Sequence, residues 1–101
     1  RYDLGFTLAR APNLEAFGVI IEDCTAIHCE DKGYPFEQTL ALLFGDINTY
    51  CPRLRCLALQ LDIDFEEGAA LAVRNEHWNV LQLLPSAIKT FMLKINLINL
   101  W

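Results

Sequence analysis

The chain has 101 residues, of which 53% are hydrophobic and 21% are charged, and its formal net charge is -5. This length allows one domain with a modest core, residues 1–101, and excludes a separate catalytic domain. The acidic excess opposes binding to nucleic acid, whose phosphates are contacted chiefly by lysine and arginine. The longest nearly uncharged run is interrupted by Pro85, Lys89 and Lys94, so the sequence predicts no membrane-spanning helix.

Three segments share one apolar spacing, which predicts strands over residues 14–22, 54–63 and 88–97. In each segment apolar residues lie three, five and seven positions after an anchor, and a proline precedes the anchor. Alternation with period two is typical of strands, and its recurrence indicates a stacked repeat. The anchors are Leu14, Leu54 and Ile88, followed by Phe17, Val19 and Ile21, by Leu57, Leu59 and Leu61, and by Phe91, Leu93 and Ile95.

Helices are predicted between the strands. Pro35 suits the first turn of a helix, and an apolar stripe at helical spacing follows it. Asp64 and Glu67 form a start signal for a second helix, and the polar segment 23–34 is expected to be a surface loop. The two stripes are Phe36, Leu40, Leu43, Phe44, Ile47 and Tyr50, and then Ala70, Val73, His77, Val80 and Leu84.

Strands and helices thus alternate along the chain. A strand followed by a helix and a further strand is the pattern of parallel strands joined by crossover helices. The sequence therefore predicts an α/β fold.

The central segment resembles a leucine-rich repeat. It reads Leu54-x-x-Leu57-x-Leu59, and Asp62 stands where such repeats commonly carry asparagine or cysteine. The phrase Cys51-Pro52-x-Leu54 at a helix end is similar to the repeats of divergent, fungal F-box proteins.

This resemblance implies a short leucine-rich-repeat-like solenoid, with parallel strands and with helices on the convex side. Its three irregular repeats are anchored at Leu14, Leu54 and Ile88. The anchors lie 40 and 34 residues apart, so long insertions are expected within repeats of ordinarily about 20 to 29 residues. The apolar final residues 97–101 predict a fragment with uncapped ends, adjoined by further repeats or another domain.

The function implied by the resemblance is non-catalytic recognition of a protein or peptide, as the substrate-binding part of an F-box-type ubiquitin ligase adaptor. In a solenoid, the residues between the buried strand positions line the concave face. We expect no catalytic residue, metal ligand or cofactor. The predicted partner-binding residues are Ile20, Glu22, Gln60, Asp62, Met92 and Lys94.

Four cysteines form two Cys-x4-Cys pairs, Cys24 with Cys29 and Cys51 with Cys56. Free thiols are favoured, which suits a cytoplasmic or nuclear protein. A small secreted protein stapled by disulfides and a zinc site remain alternatives, although the spacing is at the loose limit for zinc. A small thiol-dependent α/β enzyme is a third alternative, since His28 lies between the first two cysteines.

Acidic residues cluster at the end of the second predicted strand. Asp62, Asp64, Glu66 and Glu67 offer oxygens to a divalent cation but lack the glycine and ligand spacing of a calcium-binding loop. Acidic residues also stabilise a helix N-terminus, which is the favoured interpretation. His77 and the tryptophans, Trp78 and Trp101, are expected to be packing residues.

Overall fold

A parallel sheet with helices on one face forms the part of the chain described by a computed structural model, residues 3–25, 34–64 and 75–98. The sheet has four strands in the order β2-β1-β3-β4, and every neighbouring pair is parallel. The predicted α/β class with three parallel strands is therefore confirmed. In chain order the elements are α1 (Gly5–Ala9), β1 (Ala16–Thr25), β2 (Tyr34–Pro35), α2 (Phe36–Tyr50), β3 (Cys56–Asp64), a 3₁₀ helix (Asn75–Leu83) and β4 (Thr90–Ile98).

The three long strands pair in the register expected from their apolar spacing. Leu57 lies between Phe17 and Phe91. The next equivalent positions, Val19, Leu59 and Leu93, and then Ile21, Leu61 and Ile95, are paired in the same way. Because successive side chains alternate between the two sides of a sheet, this register directs all three apolar sets to one side.

One prediction fails near the end of β1. Ile21 pairs with Leu61, whereas Cys24 pairs with Ile63, so β1 contains one extra residue between these pairs. A β-bulge thus interrupts the expected alignment of Glu22 with Asp62. The strand also continues to Thr25, so the expected loop does not begin at residue 23.

The same tight turn precedes each long strand. The N–H of Leu14 donates to the C=O of Ala11 at 3.1 Å, that of Leu54 to Cys51 at 3.2 Å, and that of Ile88 to Pro85 at 3.1 Å. Proline is favoured in the second position of such turns, which Pro12 and Pro52 occupy. Ser86 occupies it in the third turn, where the proline stands one position earlier.

The strand starts are also joined to each other in a repeated way. The C=O of Glu15 accepts the N–H groups of Arg55 and Cys56 at 2.9 and 3.1 Å. The C=O of Arg55 in turn accepts those of Lys89 and Thr90 at 2.7 and 3.0 Å. A helix, a turn and a strand therefore follow one another three times, and equivalent backbone groups join the successive units.

The helix predicted after Pro35 is confirmed as α2. Leu40, Leu43, Phe44 and Ile47 are buried at helical spacing and pack in one core with Leu57, Leu59 and Leu61. Phe44 meets Phe91 edge to face, with ring centroids 6.4 Å apart. Tyr50, placed on this stripe by its spacing, is instead 39% exposed at the last turn of the helix.

The second predicted helix differs from its expected form. Residues 75–83 form a 3₁₀ helix, and the expected start signal at Glu67 lies outside the described residues. A 3₁₀ helix aligns side chains every three residues, and Trp78, Leu81 and, just after the helix, Leu84 pack on the core at this interval. Val80, which belongs to the predicted stripe as Leu84 does, also packs on the core. The expected intervals of three and four residues would suit an α-helix instead.

Helix α1 is not predicted by the sequence, because five residues are too short to show an apolar period. Leu8 is fully buried in the common core, and Leu4 packs against it. All three helices therefore pack on the side of the sheet that carries Leu57, Leu59 and Leu61.

We predict that Leu59→Asp prevents folding. The Leu59 side chain is only 2% exposed in the centre of the core, so the substitution buries an unpaired charge and costs more than the roughly 2 to 5 kcal/mol of a Leu→Ala change. Met92→Asp is the control, since Met92 is 62% exposed, and it should change the free energy of unfolding by about 1 kcal/mol or less. Urea titration followed by circular dichroism measures both. A soluble Leu59→Asp variant with a cooperative transition would contradict the register.

We also predict that Ser86→Pro stabilises the chain by about 0.4 to 1 kcal/mol. Proline at this turn position lowers the entropy of the unfolded chain, and Ser86 donates no backbone hydrogen bond among the described residues that proline would remove. The measurement is the denaturation midpoint at an unchanged slope, with Pro52→Ala as the opposite substitution in the second turn. Destabilisation by Ser86→Pro would show that the third turn is not equivalent to the first two.

Candidate binding face

The side of the sheet opposite the helices carries the residues expected to bind a partner. We call it the open face, because no described helix packs on it. Pairing of the three long strands arranges its residues in rows across the strands. From the amino to the carboxyl ends of the strands, the rows are Ala16, Cys56 and Thr90; then Gly18, Ala58 and Met92; then Ile20, Gln60 and Lys94; and last Glu22 at the bulge, Asp62 and Asn96.

A shallow groove of about 750 Å³ runs over the middle rows of the open face. Gly18 and Ala58 form its floor, because they have the smallest side chains of the rows and pair with each other. Met92, which is 62% exposed, lies beside Ala58 on β4, and Ile20, which is 58% exposed, lies one row beyond Gly18 on β1, so both border this floor. Few large apolar side chains of the described residues are this exposed, and two of them border one groove.

Gly18 is not required by the backbone. A Cβ atom added there would lie 3.9 Å from the Cβ of Ala58 and 4.0 Å from its carbonyl oxygen, which are ordinary contact distances. The open floor of the groove is therefore due to the missing side chain of Gly18, and the fold does not depend on it.

Polar groups occupy the carboxyl end of the open face. The Gln60 amide donates from Nε2 to Oδ1 of Asp62 at 2.9 Å, which fixes both half-buried side chains on the same side of β3. Glu22 and Lys94 are exposed on the strands to either side. Among the described residues Lys94 forms no ion pair, so it does not neutralise Asp62 through direct contact.

The structure brings together, in adjacent rows, five of the six residues predicted to bind a partner. Ile20, Gln60 and Lys94 form one row, and Met92 and Asp62 lie next to it. Only Glu22 departs from its expected position, because of the bulge. The prediction did not include Gly18 and Ala58 among the binding residues, although small residues at outward strand positions indicate a groove floor.

Of the cysteines, Cys51 is buried and Cys56 is exposed, and both are free. The Cys51 thiol lies 3.5 Å from the carbonyl oxygens of both Leu8 and Ala11 and donates its one proton between them. Burial raises the pKa of Cys51 above its ordinary value, which is the opposite of the change that activates a nucleophile. Cys51 therefore holds the end of α2 against the first turn.

Several candidate residues lie outside the described residues: Cys29, His28, Glu66 and Glu67. Of Cys24, the structure describes only the backbone, in β1. Within the described ranges, no three His, Cys, Asp or Glu residues are grouped so that they could hold a metal ion. No helix of those ranges has the length and apolar character needed to cross a membrane.

A second depression lies between α1 and α2. The sequence does not predict this depression, because it does not predict α1. Phe6 and Tyr50 line the depression together with the carboxylates of Asp3 and Asp46. Leu4, just before α1, and Leu8 within it are four residues apart and both pack on the core, but one such pair is too short a pattern to predict a helix.

Comparisons with protein-family models, with curated proteins and with solved structures find no match to this chain. The proposed function therefore rests on the residues of this chain and on their geometry.

We predict that the two described thiols differ strongly in reactivity. Cys56 should react rapidly with iodoacetamide in the native chain, whereas Cys51 should react only after denaturation, because its thiol is buried and its pKa is raised. Mass spectrometry of tryptic peptides resolves the two, because Arg53 and Arg55 lie between them. Equal native rates would contradict the placement of Cys51.

Proposed function

We propose that the chain is a non-catalytic protein-recognition module that binds a protein or peptide on its open face. The observation that carries this proposal is the alignment of outward residues from three strands around one groove, bordered by exposed Ile20 and Met92. Purely parallel sheets are usually covered on both sides, so an uncovered side with large apolar residues is a natural contact surface.

We further propose that the three helix–turn–strand units are leucine-rich-repeat-like repeats of a solenoid, with the open face on its concave side. The repeated turns and the equivalent hydrogen bonds accepted by the C=O groups of Glu15 and Arg55 support repeated units. In this architecture each unit contacts its neighbours, and the aligned strands form an extended binding surface.

The proposed biological setting is the substrate-binding part of an F-box-type ubiquitin ligase adaptor. It is supported by the similarity of Cys51-Pro52-x-Leu54 to repeats of that class. Each residue of the phrase has a structural role here: Cys51 bonds to the first turn, Pro52 forms the second turn, and Leu54 is buried. These three roles are structural, and none of them involves a catalytic group.

The test is a selection of peptides from a random display library on the 101-residue chain, followed by substitution mapping. We predict that Gly18→Val weakens the selected binders about tenfold or more, because the added methyl groups fill the groove floor. Valine suits a strand, so the free energy of unfolding should stay the same or rise slightly. Changes at Gln60, Met92 and Lys94 should likewise weaken binding and leave stability nearly unchanged.

The matched control is Leu42→Ser, which alters an exposed residue of α2 away from the sheet. It should leave the affinity of every open-face binder unchanged. If no binder can be selected, or if binders ignore Gly18→Val and respond to Leu42→Ser, the open face is not the recognition surface.

A further inference from the structure

We propose that the partner segment is positively charged and amphipathic: an aliphatic side chain fills the groove between Ile20 and Met92, while a lysine or arginine lies against Glu22 and Asp62. This inference rests on the proposed function and specifies the chemistry of the partner. It follows from the way apolar and charged groups divide along the strands of the open face.

The shape of the groove suits an aliphatic side chain. Its floor, Gly18 and Ala58, adds almost no side-chain bulk, whereas Ile20 and Met92 offer flexible apolar surface at its borders. An aliphatic side chain placed there removes apolar surface from water on both molecules, which is favourable by about 25 cal/mol per Å². A positively charged side chain in the same position would lose part of its hydration and would lie near Lys94, which lines the groove and carries the same charge.

The carboxyl end of the open face suits a positively charged side chain. Glu22 and Asp62 lie on neighbouring strands, and the amide of Gln60 orients Asp62 through Oδ1, which leaves Oδ2 without a hydrogen bond to any residue that the structure describes. Lys94 lies on the far strand and, among the described residues, is not paired with either carboxylate. The chain as a whole carries a net charge of -5, which attracts cationic partners and repels anionic ones.

The distance between the groove floor and the two carboxylates determines the residue spacing that a partner segment needs. Gly18 and Glu22 are four residues apart on β1, as are Ala58 and Asp62 on β3. At roughly 3.3 Å per residue, this separates the groove floor from the carboxylates by about 13 Å. An extended partner segment that lies along the strands therefore needs its aliphatic and cationic residues about four positions apart.

Charge also argues against a second copy of the chain as the occupant. A symmetric dimer through this face would repeat the same surface on both sides of the interface. Glu22 and Asp62 of both copies would then enter one interface, where like charges are unfavourable. A membrane surface is disfavoured for a related reason, since anionic lipids would be repelled by the net charge of -5.

The experiment uses the peptides selected on the 101-residue chain and reads their composition. Peptides that lose binding on Gly18→Val should carry a net positive charge, with an aliphatic residue about four positions from a lysine or arginine. The double variant Glu22→Gln with Asp62→Asn should weaken them about tenfold, and raising the salt concentration from about 0.05 to about 0.5 M should weaken binding to the wild type. Half-buried Glu37→Gln together with exposed Asp3→Asn removes the same charge elsewhere and is the control for net charge.

The outcomes separate this inference from the proposed function. Groove-dependent peptides that are acidic or neutral, or that ignore the double variant, would overturn the inference and leave open-face recognition standing. Peptides that ignore Gly18→Val would overturn both. A wild-type chain that is dimeric by light scattering, and that Met92→Asp converts to a monomer, would show that a second copy occupies the face and would overturn the inference.

Discussion

The in-phase pairing of β1, β3 and β4 is the constraint on which the rest of the structure depends. A strand has a period of two, so a shift of one residue in any pair would exchange its buried and exposed sides. The C=O of Glu15 accepts hydrogen bonds from the start of the second strand, and the C=O of Arg55 accepts equivalent ones from the start of the third, which fixes that phase at the amino ends. With the phase fixed, Leu57, Leu59 and Leu61 enter the core, and Ala58 and Gln60 necessarily face the other side.

The helical side and the open face consequently have different roles. The helical side carries the stability, because α1, α2 and the 3₁₀ helix bury their apolar residues on the leucines of β3. The open face contributes little to the core, so its residues are free to differ in size and charge along the strands. The small-residue groove lies on the middle rows of the open face, and the acidic residues lie at its carboxyl end. In our proposal, the order of these two regions along the strands selects the partner.

Much of this arrangement could be predicted from the sequence, for reasons that differ between elements. The strands have a strict period of two, and four buried apolar residues of α2 recur at helical spacing, so both give strong local signals. Helix α1 is too short to show a period and depends on contacts such as the Cys51 thiol to Leu8. The bulge at Glu22 and the 3₁₀ form of residues 75–83 depend on how neighbouring elements pack against each other. The alternation of apolar and polar residues along the sequence does not indicate this packing. Five of the six expected binding residues come together because their positions follow directly from strand phase, and Glu22 departs because it lies at the bulge. The groove depends on the absence of a side chain at Gly18.

The most direct test of the account is the pattern of nuclear Overhauser contacts between the three long strands in solution. We predict amide-to-α-proton contacts of the parallel kind that link Val19 to the neighbourhood of Leu59 and Leu59 to that of Leu93. Close contacts between α-protons of facing residues, which are typical of antiparallel pairs, would contradict the account. So would a parallel pattern displaced by one residue, since it would place Leu59 on the open face and Gln60 in the core.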